Sequence, residues 1–74
     1  MVDYKQYIVI NPLIRFGKPI IKGTRITVYD VLSWLSEGMN NEEIINDFPE
    51  MDDIKIKACL SYAADKEAKL LILE

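Results

Sequence analysis

The sequence predicts a mainly α fold: a three-helix, helix-turn-helix-like domain with a short N-terminal β-strand and an extended basic arm in front of it. Three observations predict it. From residue 27 onward, apolar residues recur at helical spacing in three segments, each opening on a capping residue, the first two closing on Gly38 and Pro49. Residues 7–10, YIVI, are β-branched and aromatic and stop at the turn signal Asn11-Pro12. Between them lies a stretch rich in cations and punctuated by Gly17, Pro19 and Gly23.

The strand is expected over residues 7–10. Residues 13–26 read as extended and irregular, with Ile20-Ile21 able to form a second short strand. Thr27 N-caps the first helix, and Asp30 stands at the third helical position as the acid of a capping box. Val28, Val31, Leu32 and Leu35 form one stripe, and Gly38 closes the helix. Asn40 caps the second helix with Glu43 three residues on; Ile44, Ile45 and Phe48 face inward and Pro49 stops it. Asp52 caps the third, whose buried stripe is expected to be Ile56, Cys59, Leu60 and Ala63 and whose end falls near Lys66 or Lys69. Residues 70–74, LLILE, read either as a short C-terminal strand or as a helical extension docking on a partner. With no repeat, low-complexity tract or linker, residues 1–74 read as one domain.

A chain of 74 residues is near the lower end of what folds alone, burying about 60% of its unfolded surface. Such scaffolds gain stability from disulfides, metals or a partner subunit. One cysteine, Cys59, and no histidine remove the first two within a single chain. A hydrophobic content of 50% supplies a core, so homodimerisation is the expected extra stabiliser. Tyr7–Ile10 or Leu70–Leu73 are the segments expected to pack across that dimer, being too apolar to stay exposed.

A lone cysteine suits a reducing cytosol. The N-terminus MVDYKQYIVINP is mixed in charge and meets a proline early, unlike a signal peptide. No apolar run approaches the roughly 20 residues that span a bilayer. The expectation is a soluble cytoplasmic protein with no membrane partner.

The net charge of −3 is unevenly spread. Residues 1–27 carry five cations against Asp3, a net +4, whereas residues 28–74 carry four lysines against eleven acids, a net −7. A non-specific polyanion binder would be basic as a whole. One end nevertheless attracts phosphate or an acidic partner.

The basic segment GKPIIKGTRIT, residues 17–27, invites comparison with a phosphate loop. It fails that comparison: its glycines are six apart, no lysine follows Gly23, and Pro19 removes a backbone donor. Dinucleotide binding is excluded by the missing G-x-G-x-x-G and by the length of the chain. Cys59 lies on a helix stripe without a base and reads as a small buried hydrophobe. The acids Asp30, Glu42, Glu43, Asp52 and Asp53 stand at helix starts, where capping and the helix dipole account for them. No enzymatic activity, cofactor or metal is therefore implied.

The short second helix, a proline-bearing turn and a longer third helix have helix-turn-helix spacing, which an ordinary three-helix packing shares. Asp53, Lys55, Lys57, Ser61, Tyr62 and Asp65 are the expected outward face of the third helix. Base reading favours Arg, Lys, Asn and Gln at the start of a recognition helix, where Asp52 and Asp53 stand instead. The candidate DNA contacts are Lys55, Lys57 and the arm's Lys18, Lys22 and Arg25, with Arg15 joining them in a dimer.

The run from Gly17 to Glu67 resembles the domain of unknown function 433 family. Its pattern reads G-K-P-x-I-x-G-T-R-I-x-V, an apolar helix, G-x-[ST]-x-E-E-I-x-x-x-[FY]-P-x-L and a final helix ending in Y-A. The resemblance covers residues 8 to 68; Asn40 stands for Ser/Thr, Met51 for Leu and Thr27 for a frequent Pro, each keeping the capping or packing role. It implies a helix-turn-helix-like, VapB-type antitoxin of a toxin–antitoxin pair, with a PIN-like nuclease toxin as partner and its own promoter DNA bound as a dimer. The alternative is a structural or protein-interaction module that never touches DNA.

The motif positions carried over are Gly17, Lys18, Pro19, Ile21, Gly23, Thr24, Arg25, Ile26 and Val28. Gly23 would allow positive φ, and Thr24 would bond local backbone. Arg25 has three expected roles: an intrachain clamp onto Asp30, Glu37 or Asp47, a nucleic-acid contact, or a contact with a partner protein.

Overall fold

The computed structural model describes residues 2–72, with side chains through Lys69. Two short strands, β1 (Ile8–Val9) and β2 (Ile20–Ile21), precede three helices, α1 (Val28–Ser36), α2 (Asn41–Asp47) and α3 (Asp53–Ile72). A single 3-10 turn at Tyr4–Gln6 precedes β1, and a left-handed turn at Arg15–Gly17 follows it. The fold is mainly α, as the sequence predicts.

β1 and β2 pair antiparallel, with Ile8 opposite Ile21 and Val9 opposite Ile20. The other edge of β2 is bonded too: the Ile21 N–H donates to the Ile26 carbonyl at 2.8 Å and the Val28 N–H to the Pro19 carbonyl at 3.0 Å. The first strand is therefore shorter than residues 7–10 and pairs with β2 inside its own chain. The side chains of the other expected dimer segment, Leu70–Leu73, lie outside the described residues.

Both predicted capping boxes are present. Thr27 Oγ1 accepts the Asp30 N–H at 2.9 Å while Asp30 accepts the Thr27 N–H at 3.0 Å. Asn40 and Glu43 repeat the arrangement at 2.9 and 3.1 Å. At the end of α1, the Gly38 N–H reaches the Leu35 carbonyl and the Met39 N–H the Trp34 carbonyl, both at 3.1 Å. This is a Schellman motif, and it requires the left-handed backbone that Gly38 supplies at φ 99°. Asp52 caps α3 by accepting the Lys55 N–H at 2.8 Å.

The core joins sheet and helices: Ile8, Ile21 and Ile26 pack with Val31, Ile44 and Ile56. On α3 the buried arc differs from the expected stripe. Ile56 and Cys59 are buried, but Leu60 is 47% exposed while Ala58 and Ser61 are buried. The N-terminal turn explains the difference: the Tyr4 hydroxyl donates to Asp65, and its ring meets Tyr62 edge-on at 5.2 Å. A helix packed on a second side buries more than one stripe. Ser61, expected on the outward face, shares the helical row of Ala58 and Asp65 that this turn lies against.

Candidate interaction site

The basic motif is a turn built around Gly23 and Thr24. Gly23 takes φ 79°, the left-handed value the reversal requires. Thr24 Oγ1 donates to the Ile21 carbonyl at 2.9 Å and accepts the Ile26 N–H at 3.0 Å. Its hydroxyl thus pins both arms of the turn, the local backbone role expected of it.

The arm is clamped to the helices by an arginine, but by Arg15 and not by Arg25. Arg15 Nη1 donates to Asp30 Oδ2 at 2.9 Å and to the Arg25 carbonyl at 2.7 Å. Arg25 contributes only that carbonyl; its exposed side chain makes no hydrogen bond or ion pair among the described residues. The reason is geometric. Asp30 already holds the Thr27 N–H and faces the loop before β2, so a guanidinium arriving from Arg15 completes its hydrogen bonds. Burial pushes the Asp30 carboxyl up, but Arg15 and the Thr27 N–H outweigh it and hold the group below its ordinary value.

A cleft of about 820 Å³ opens between the motif and the helices. Arg25 and Thr24 stand on one wall, Glu50 on another, and Trp34 and Phe48 line it. These two rings stack at 4.0 Å and 10°, bridging α1 to the turn after α2. Both are half-buried. Arg25 is thereby left free on the wall of a cleft whose lining also holds the two aromatic rings. That pairing of groups suits an apolar or aromatic side chain next to a carboxylate. Trp34 lies off the stripe of Val28, Val31, Leu32 and Leu35, and an aromatic residue in that position is the one sequence signal that could have pointed to the cleft.

The remaining candidate cations are dispersed. Lys18 lies over the exposed Tyr29 ring at 6.0 Å, and Lys22 and Lys57 project into solvent. Lys55, by contrast, is half-buried, and its Nζ donates to the Glu50 carbonyl at 2.7 Å. It braces the turn before α3, so of the candidate DNA contacts it is the one engaged by a side-chain hydrogen bond among the described residues. Gly17 and Pro19 shape the loop before β2, and Gly17 takes φ 77°. Cys59 is fully buried and its thiol is pushed up to about 12 by desolvation. Among the described residues no group of metal-ligating side chains occurs and no helix is long and apolar enough to cross a membrane.

Residues 8–63 match the family model described as "Protein of unknown function (DUF433)". The chain belongs to the DUF433 family. It is similar to the "Uncharacterized protein y4eO" of Sinorhizobium fredii (strain NBRC 101917 / NGR234), with 32% identity over 59 residues. That alignment covers 80% of this chain and 27% of the relative, so the chain spans about a quarter of the relative's length. The crystal structure of a DUF433 member from Anabaena variabilis ATCC 29413 superposes with a TM-score of 0.79 at 22% identity, covering 90% of this chain and 70% of that one. The likeness is one of fold. Within this DUF433 chain, the G-T-R-I core is the turn at Gly23, and the F-P pair places Phe48 against Trp34.

Proposed function

We propose that the chain is a protein-interaction module of the antitoxin kind, whose cleft takes an acidic, partly apolar segment of a partner. A nuclease-like toxin of the PIN type is the partner that fits the family resemblance. One observation carries the reading: Arg25 is left free at the mouth of a cleft lined by the stacked Trp34 and Phe48, while Arg15 does the structural clamping. A free guanidinium beside an apolar surface favours a carboxylate-bearing peptide, and buried aromatic and arginine anchors carry most interface energy.

Trp34 is the chain's one tryptophan, so its emission reports directly on the cleft. Titrating the product of the adjacent gene should shift that emission, and Arg25→Ala should weaken binding about tenfold or more without lowering the melting temperature. A partner that binds without moving the Trp34 signal, or equally well to Arg25→Ala, would place the contact elsewhere.

Promoter binding is the second reading, favoured by the exposed candidate cations Lys18, Lys22, Arg25 and Lys57. It assigns DNA to the arm and the flank of α3, since Asp52 and Asp53 stand at the helix start and Lys55 is engaged. Binding to the upstream DNA should weaken steeply with salt as counterions are released. Indifference to that DNA at low salt, with and without the partner, would remove the repressor role.

A further inference from the structure

The loop between the strands holds an unusual backbone. Arg15, Phe16 and Gly17 take φ values of 50°, 60° and 77°, three successive left-handed residues of which two carry side chains. Non-glycine residues reach this region at a cost, and such strain persists only where the surroundings over-determine it. Here they do. The Arg15 guanidinium is fixed to Asp30 and to the Arg25 carbonyl. The Gly17 N–H donates to the Ile14 carbonyl at 3.1 Å and the Leu13 N–H to Asn11 Oδ1 at 2.9 Å.

The outcome is a tip tied down by these bonds and carrying Leu13 at 92% and Phe16 at 96% exposure, the two most exposed large apolar side chains described. Lys18, Lys22 and Arg25 lie close to it in sequence and give this end of the chain its positive charge. A complementary feature stands on α2 of the same molecule. There a second cleft, of about 720 Å³, is lined by Ile45 and Pro49 together with Glu42, Glu43 and Asn46. Glu43 is held by its capping bond to the Asn40 N–H, which leaves the Glu42 carboxylate outward.

We propose that the Leu13–Phe16 tip of one copy docks into the α2 cleft of a second copy, Phe16 on Ile45 and Pro49, with the arm lysines facing Glu42. The apolar tip meets Ile45 and Pro49, and a net-positive segment meets the acidic residues that line the same cleft; both halves of the contact are present in one chain. The contact is heterologous, since different patches of the two copies meet. It goes beyond the partner reading above and requires neither toxin nor DNA.

Sedimentation equilibrium of the full chain, from low micromolar to several hundred micromolar, tests it. The wild type should self-associate, and less so at high salt. Phe16→Asn should raise the melting temperature, because asparagine tolerates left-handed backbone better than phenylalanine, yet weaken association at least tenfold. The exposed double change Glu42→Lys with Asn46→Lys should also weaken association, by placing cations opposite the arm. Mixed together, the two variants should associate more tightly than either alone, because an intact tip then meets an intact cleft. A wild type that stays monomeric throughout would overturn the proposal and assign the tip to a different partner. Unchanged association in Phe16→Asn, or a mixture no tighter than its components, would overturn it as well. None of these outcomes bears on the Trp34 titration, so the two readings fail separately.

Discussion

The arm from Ile8 to Thr27 and the helices that follow build one core by different means. The helices are set by rules a few residues long: reciprocal caps at Thr27 and Asn40, a Schellman stop at Gly38, a proline after Phe48. The arm has only two strands of two residues, yet Ile20 and Ile21 are as deeply buried as anything on the helices. Its conformation depends on side chain to backbone bonds from Thr24, Arg15 and Asn11. Regular structure and structural importance are therefore separate properties in this molecule.

Truncation of the core probes that equivalence most severely. Ile21→Ala in the arm and Ile56→Ala in α3 should each cost about 3 kcal/mol in denaturant unfolding, a large share of the stability of so small a domain. If the arm were merely draped on the helices, Ile21→Ala would cost far less, and the comparison would break. Next comes the hinge between the regions. Asp30→Ala removes both a capping acid and the partner of Arg15, for about 2 kcal/mol. Arg15→Ala should lose a good part of this, whereas Arg25→Ala should stay within about 0.5 kcal/mol of wild type.

The same carboxylate gives a pH signature. Because the folded Asp30 value is depressed, its contribution is present above the ordinary carboxylate range and is lost as pH falls through the folded value. Asp30→Asn should flatten the acid limb of a stability–pH curve below about pH 4. An unchanged limb would mean that Arg15 does not favour the charged form in solution. One effect is of opposite sign: Phe16→Gly should stabilise the monomer by about 1 kcal/mol through relief of its left-handed backbone.

The two regions also differ in how far their sequence could be read. Helix starts, and the stops and inward faces of α1 and α2, were legible because capping and periodicity act between residues three or four apart. By contrast, α3 runs on to Ile72, past the expected end near Lys66 or Lys69. The turn at Gly23 and Thr24 was legible for the same reason. The clamp was not. Arg15 and Arg25 are equivalent as residue types, and which of them reaches Asp30 depends on a left-handed turn that no local pattern announces. Leu60 and Ser61 exchanged their expected exposures because the Tyr4 turn packs on α3 from far along the chain. The cleft escaped notice similarly, since its wall joins Arg25, Trp34 and the Phe48–Glu50 turn from three separate stretches.

The buried sulfur of Cys59 has a practical corollary. It is the only thiol in the chain, it is sealed in the cluster shared by Ile8, Val31 and Ile56, and desolvation keeps it protonated. A thiol reagent can reach it only when the molecule opens, so the labelling rate in native buffer acts as a clock for opening. Any ligand that prefers the closed molecule slows that clock in proportion to its occupancy. An unknown partner could thus be recognised in a crude extract by delayed labelling of Cys59, before its identity is in hand.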